Sequence, residues 1–445
     1  MSYQLQIGRR EWTASGETLT ITAVAPNGVL YDYFPSSPIV DVVNTAGETV
    51  GSWPVSHRVR NATETLKINF ATDGVDAAIR TLNESFAVAR LWAESARRDL
   101  EMVLRFRDSA RHGAEEWYEA RLFGGSLKLE RGHDLTVTWE RAPYWEGAEE
   151  IVQVQTRSMV AMDDYAQIVN CEDSNPANSN VLRLDTPDGD VPTPIRVRIN
   201  NDYASDRRLA SVRMHWFSEI VSPTLEPGNC SPLPDFSPSD DASDGSYGVG
   251  TSFAWEVQHS LTRNYTGWFR LLVNGSLFGD WTARMGYVMP RSGDQQSTVT
   301  GSHGWTDFGL FYLPPRGYTS PVRYPFNVWL SGDTSSRVDF VLLLPVMDQT
   351  AQWRNLTFDG FNAIEGTCIE DDMRRMDEPA IYEISGQKWP IVNAVGGPIE
   401  IWPAGLPGSG NQCLVFALEN DEGGAEALRT AQVQVYAHPR YSNLP

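Results

Sequence analysis

Residues 115–147 read EEWYEARLFGGSLKLERGHDLTVTWERAPYWEG, and their alternation decides the fold class. Trp117, Glu119, Arg121 and Phe123 share one face of a first strand, and Gly124-Gly125 has the composition of a two-residue hairpin turn. Leu127 and Leu129 alternate with Ser126, Lys128 and Glu130 in a second strand, and Arg131 to Asp134 supplies a second turn. Leu135, Val137 and Trp139 then alternate with Thr136, Thr138 and Glu140. Pro143 ends the run because it cannot donate a ladder hydrogen bond. The expectation is a three-stranded meander with one apolar face, which must pack against another element.

That element is legible just upstream. Residues 58–70 read as a strand with Leu66, Ile68 and Phe70 on one side. Thr72 or Asp73 can cap a helix that carries Asp76 in its first turn. Val75, Ile79, Leu82, Phe86, Ala89 and Ala93 fall on one helical stripe, and the helix is expected to run to about Arg98. Glu101 to Arg107 is a further strand. Residues 1–57 alternate weakly between proline and glycine turns, with a hairpin expected across Thr45-Ala46-Gly47. Leu66, Ile68, Phe86, Trp117 and Trp139 are thus the expected core of an α+β first domain, residues 1–147, with one long helix.

The rest of the chain reads as β throughout, so the fold class is mainly β. Residues 193–201 (TPIRVRINN) and 210–221 (ASVRMHWFSEIV) are strands of a sandwich. Residues 222–250 hold five prolines among Ser, Asp and Gly, the composition of a linker or a long excursion. Asp240, Asp241, Asp244 and Gly245 lack the full spacing and closing Glu of a calcium loop. A compact β unit of sandwich or jelly-roll type follows, with strands near 280–289, 305–313, 324–332 and 336–346. Four more strands close the chain. The pattern predicts a discontinuous sandwich, 148–225 with 351–445, carrying residues 226–350 as an insertion; three domains in a row is the alternative.

Composition narrows the function. The 445-residue chain carries a net charge of −21, which argues against nucleic acid as the main partner. No apolar run is long enough for a membrane span, and MSYQLQIGRREW has no apolar signal core, so folding in a cytoplasm is expected. Cys171, Cys230, Cys368 and Cys413 are far apart and the His residues scattered, so neither a metal nor a cofactor is expected. No GxSxG, GxxxxGK[ST], HExxH or helix-opening GxGxxG occurs, and no catalytic residue is assigned. The candidate sites are surfaces. Trp255, Trp268, Trp281, Trp305 and Trp329 crowd the inserted unit. Trp305, in the loop-like TGSHGWTD, and then Trp281, after FGD, are the candidates for stacking on a sugar.

The order strand, helix, strand, hairpin, strand, with its closing YEARLFGGSLKLERGHDLTVTWERAPYW, resembles the N-terminal ring domain of siphophage distal tail proteins. GDVPTPIRVRINN and residues 397–416 resemble strands of that family's galectin-like second domain, and the inserted unit ending in LLLPV resembles a carbohydrate-binding-module jelly roll. The resemblance implies a virion protein of the tail tip, assembled in the bacterial cytoplasm. It would form a ring, a hexamer, between the tail tube protein and the tip or hub proteins, with no catalysis. Host surface glycan is a further partner for the inserted unit. A carbohydrate- or receptor-binding protein is the second reading, and a polysaccharide-degrading enzyme the third.

Overall fold

The computed structural model describes residues 2–9, 19–24, 39–44, 54–69, 75–95, 101–108, 116–130, 134–154, 165–169, 181–201, 209–218, 224–225, 227–238, 246–257, 267–287, 295–313, 326–345, 352–358, 366–374, 380–391, 393–406, 409, 412–420 and 430–443. The class is mainly β, in antiparallel sheets with one α-helix among the described residues. The chain divides into two compact units. The first takes residues 1–150, 188–193 and 438–445; the second takes 151–187 and 194–437.

In the first unit, β1 (Ser2–Arg9) lies between β2 (Leu19–Val24) and β6 (Met102–Asp108), and β3 (Ile39–Asn44) pairs with β4 (Pro54–Arg60). The turn expected at Thr45-Ala46-Gly47 lies outside the described residues. The sheet continues from β6 through β7 (Tyr118–Leu129) and β8 (Asp134–Arg141) to β5 (Ala62–Asn69). Helix α1 (Val75–Ser95) packs Leu82, Phe86 and Ala89 onto this sheet, against Leu66, Leu104, Leu122, Val137 and Trp139. Of the expected stripe, Leu82, Phe86 and Ala89 are buried and Ile79 is half-buried, and the side chains of Val75 and Ala93 lie outside the described residues. Ile68 pairs with Leu135 in the ladder, and its side chain lies outside the described residues.

Two expectations are corrected here. Gly124-Gly125 is not a turn: β7 runs through it as one twelve-residue strand, with a register shift between Leu122 and Gly124. The glycines make room for α1. A Cβ on Gly125 would lie 2.5–2.7 Å from three ring carbons of Phe86, and the Arg90 guanidinium donates to the Gly125 carbonyl. The parity of β7 also differs. Tyr118, Ala120 and Leu122 are buried, so Trp117 is not core; it is half-buried under the Arg107 guanidinium, 4.7 Å from its ring centroid.

The end of β8 is fixed by a buried ion pair. Arg141 donates through Nε and Nη2 to Glu64 Oε1 (2.9 and 2.6 Å), and Trp139 Nε1 donates to Glu64 Oε2 at 3.0 Å. Arg141 Nη1 binds the carbonyls of Ala142 and Pro143 (2.8 and 3.3 Å), and its guanidinium stacks 4.4 Å from the Trp145 centroid. A charge this deep needs every donor matched, and the match holds the chain where it leaves the sheet. Strand β9 (Trp145–Glu146) pairs with Arg440–Tyr441 from the C-terminus. Arg440 reaches Glu146 at 3.2 Å, the Tyr441 ring meets Tyr118 edge-on at 5.3 Å, and Asp190 accepts from the backbone and hydroxyl of Ser442 (2.6 and 2.5 Å). Gly189, at φ 110°, lets its backbone lie against that of Arg440. Burial pushes the Tyr441 phenol up, with Tyr118, Asp188, Glu150 and Glu116 adding to the shift.

The second unit contains two sandwiches. In one, Thr193–Asn201 pairs with Thr367–Asp372 and Thr430–Ala437, and Leu209–Ser218 pairs with Gln352–Thr357 and Gln412–Asn420. Its core includes Ile195, Val197, Val212, Met214, Trp216, Phe416 and Val433. The buried pair Arg354–Asp371 (2.7 and 3.1 Å) ties Gln352–Thr357 to Thr367–Asp372. The other sandwich is built from residues 224–345. Part of 222–250, expected as linker, is strand: Thr224–Leu225, Asp235–Pro238 and the start of Ser246–Val257 all pair. Asp240 to Gly245 lie outside the described residues. The two strands expected at 324–332 and 336–346 are one, Phe326–Pro345. Its first half pairs with Asp280–Tyr287 and its second half with Gly267–Ser276, so it passes from one layer to the other.

Candidate functional site

Strand parity sorts the tryptophans of the 224–345 sandwich. In Asp280–Tyr287, Trp281, Ala283 and Met285 point into the core and Thr282 and Arg284 point out. Trp281 is fully buried and its Nε1 donates to the Phe278 carbonyl at 3.0 Å, so no sugar reaches it. Trp255 is buried beside it. Trp305 is not in a loop: it stands in strand His303–Leu313, opposite Asn274, and its side chain lies outside the described residues. Trp281 is therefore not at an open site, and the surroundings of the Trp305 side chain lie outside the described residues.

Trp329 lies on an open face. Within Phe326–Pro345, Val328 and Leu330 are core and Trp329 and Ser331 face outward. The ladder sets Ala254, Trp329, Arg284 and Gln296 side by side, and Ser252, Ser331, Thr282 and Thr298 in the next row. The Arg284 guanidinium lies 5.5 Å from the Trp329 centroid, and the hydroxyls of Thr282 and Thr298 are 2.7 Å apart. Over these rows runs a groove of about 420 Å³, lined in part by Ser252, Thr282, Arg284, Gln296, Trp329 and Ser331. The signal that could have found it is period-two alternation: a Trp between Val328 and Leu330 must sit on the opposite face from a Trp in phase with Ala283 and Met285.

The opposite layer of this sandwich is occupied in part, with Trp268, Leu310 and Tyr312 of its strands exposed. Leu272, Phe340 and Leu342 pack against Cys413, Val415 and Ala417 of the Gln412–Asn420 strand. Around them lie Arg270 bound to Asp307, Arg213 bound to Glu419 (both at 2.5 Å), and the buried imidazole of His215. Burial, with Arg270 and Arg213 nearby, lowers the His215 pKa to about 4, against the pull of Asp307. Burial raises the Cys230 thiol to about 12, which leaves it an inert packing group. Among the described residues no three of His, Cys, Asp and Glu gather as metal ligands, and no helix is long and apolar enough to cross a membrane.

No family model and no curated protein matches the chain. Among solved structures it is similar to the SPP1 Dit protein, described as a paradigm of the hub adsorption apparatus of phages infecting Gram-positive bacteria. That similarity has a TM-score of 0.20 and 10% identity, over 70% of this chain and 89% of that one. It is also similar to an exo-β-1,3-galactanase of Phanerochaete chrysosporium solved with galactose, at a TM-score of 0.19 and 10% identity, over 55% of this chain and 78% of that one. At such scores the likenesses carry no argument about function.

Proposed function

We propose that the chain is a structural component of a bacteriophage tail tip, similar in role to the distal tail proteins. In this reading residues 1–147 assemble as a ring, a hexamer, between the tail tube and the tip or hub proteins. The outer sandwiches, 148–225 with 351–445 and the inserted 226–350, are directed outward. The work of the protein is assembly and not catalysis. The observation that supports this reading is the build of the first unit: one amphipathic helix seated on a β-sheet, with a chain exit clamped at Ala142 and Pro143 by Arg141.

A carbohydrate- or receptor-binding protein is the second reading, and the Trp329 groove favours it. The two readings part at the tail tube. In the first, full-length protein mixed with purified tail tubes caps one end of each tube in negative-stain micrographs. Tubes that stay uncapped at saturating protein would overturn it.

A further inference from the structure

We propose that the groove over Trp329 binds a pyranose-containing glycan, neutral or anionic. The proposal deepens the outward-facing part of the reading above and holds whether or not the chain forms a ring. A pyranose presents a flat face of C–H groups and a rim of hydroxyls. Its site therefore needs an apolar platform bordered by neutral hydrogen-bonding groups.

The groove supplies both. Trp329 is half-buried, with Val328 and Leu330 anchoring its strand from the core and the Arg284 guanidinium over one face of its ring, 5.5 Å from the centroid. The hydroxyls of Ser252, Ser331 and Thr282 and the amide of Gln296 stand around it on adjacent strands. Strand spacing puts the row from Ser331 through Thr282 to Thr298 across roughly 10 Å, the scale of one or two sugar rings. The groove volume, about 420 Å³, falls in the usual range of about 300–1,000 Å³ for small-ligand sites.

Charge narrows the ligand. In a chain of net charge −21, the groove lining holds no carboxylate and one cation, Arg284. An anionic sugar is accommodated, a cationic one finds no counter-charge, and a single Arg is too little for a nucleic-acid backbone. A protein partner would need far more surface than this groove, of order 800 Å² per side. On the opposite layer Leu272, Phe340 and Leu342 are packed against Cys413, Val415 and Ala417, while Trp268, Leu310 and Tyr312 remain exposed.

Affinity electrophoresis of the full-length chain in gels carrying β-glucan, xylan or polygalacturonate tests the site. At least one of these polymers should retard the protein. Trp329→Ala should weaken retardation about tenfold or more, and Gln296→Ala, at an exposed position, several-fold. Trp268→Ala, 45% exposed and outside the groove, should change nothing. The proposal falls if no polymer retards the chain, if both groove variants bind as wild type, or if Trp268→Ala abolishes binding. A chain that binds glycan yet never forms a ring would remove the tail reading and leave this site.

Discussion

Gly125 illustrates how a residue can be read correctly as special and for the wrong reason. A Gly-Gly pair between alternating segments has the chemistry of a hairpin turn, and nothing local distinguishes that from a close approach by a distant element. The difference is tertiary: Phe86 lies 39 positions upstream and needs the missing Cβ. Gly125→Ala should cost about 1–3 kcal/mol by overpacking. Adding Phe86→Leu should recover part of that loss in a denaturant titration, and strictly additive losses would show that the ring is not what the methyl meets. His215 offers a second residue-scale test. Its folded pKa of about 4 lies below the unfolded value of 6.5, so the unfolded chain takes up the proton first. Stability is therefore unaffected above pH 6.5 and is lost as pH falls from there towards about 4, by up to roughly 3 kcal/mol from this group. His215→Gln should flatten that part of the profile in urea melts at about pH 7 and about pH 4.5. An unchanged profile would mean the imidazole is hydrated. The tryptophans show the limit of composition. Loop-like neighbours favoured Trp305 and Trp281, whereas parity along each strand separates buried Trp281 from outward Trp329.

At the scale of elements, α1 was legible because its stripe is long, and strands such as Thr193–Asn201 because they alternate cleanly. Strand β7 and the long strand Phe326–Pro345 were not, since glycine and serine look like breaks when the strand only shifts register or changes layer. The C-terminal strap was also hidden. Nothing in the sequence marks a break between units after Ala437, yet Thr430–Ala437 belongs to the second unit and residues 438–445 to the first. Deleting His438–Pro445 removes the ladder to β9, the Arg440–Glu146 pair and the Tyr441 contact with Tyr118. The first unit should lose about 2–4 kcal/mol. Hydrogen exchange should quicken at Tyr118–Ala120 and Trp145–Glu146 and stay unchanged across Thr193–Asn201. Equal protection in both proteins would show the strap to be idle.

For the whole molecule, charge and residue choice give the widest view. Residues 58–141 balance 14 basic against 14 acidic side chains, so all of the net −21 lies elsewhere in the chain. A neutral segment can approach its own copies without the repulsion that a uniformly acidic chain would meet. Of 36 basic residues 33 are Arg, whose planar fork suits packed, bidentate pairs of the Glu64–Arg141 and Arg354–Asp371 kind. Self-assembly through the first unit is the central claim. The direct measurement is the mass of the full-length chain by light scattering across a concentration series, alone and with tail tube protein. The account predicts a closed species of six times the 49.6 kDa chain. A monomer at every concentration, with or without tube protein, would contradict it.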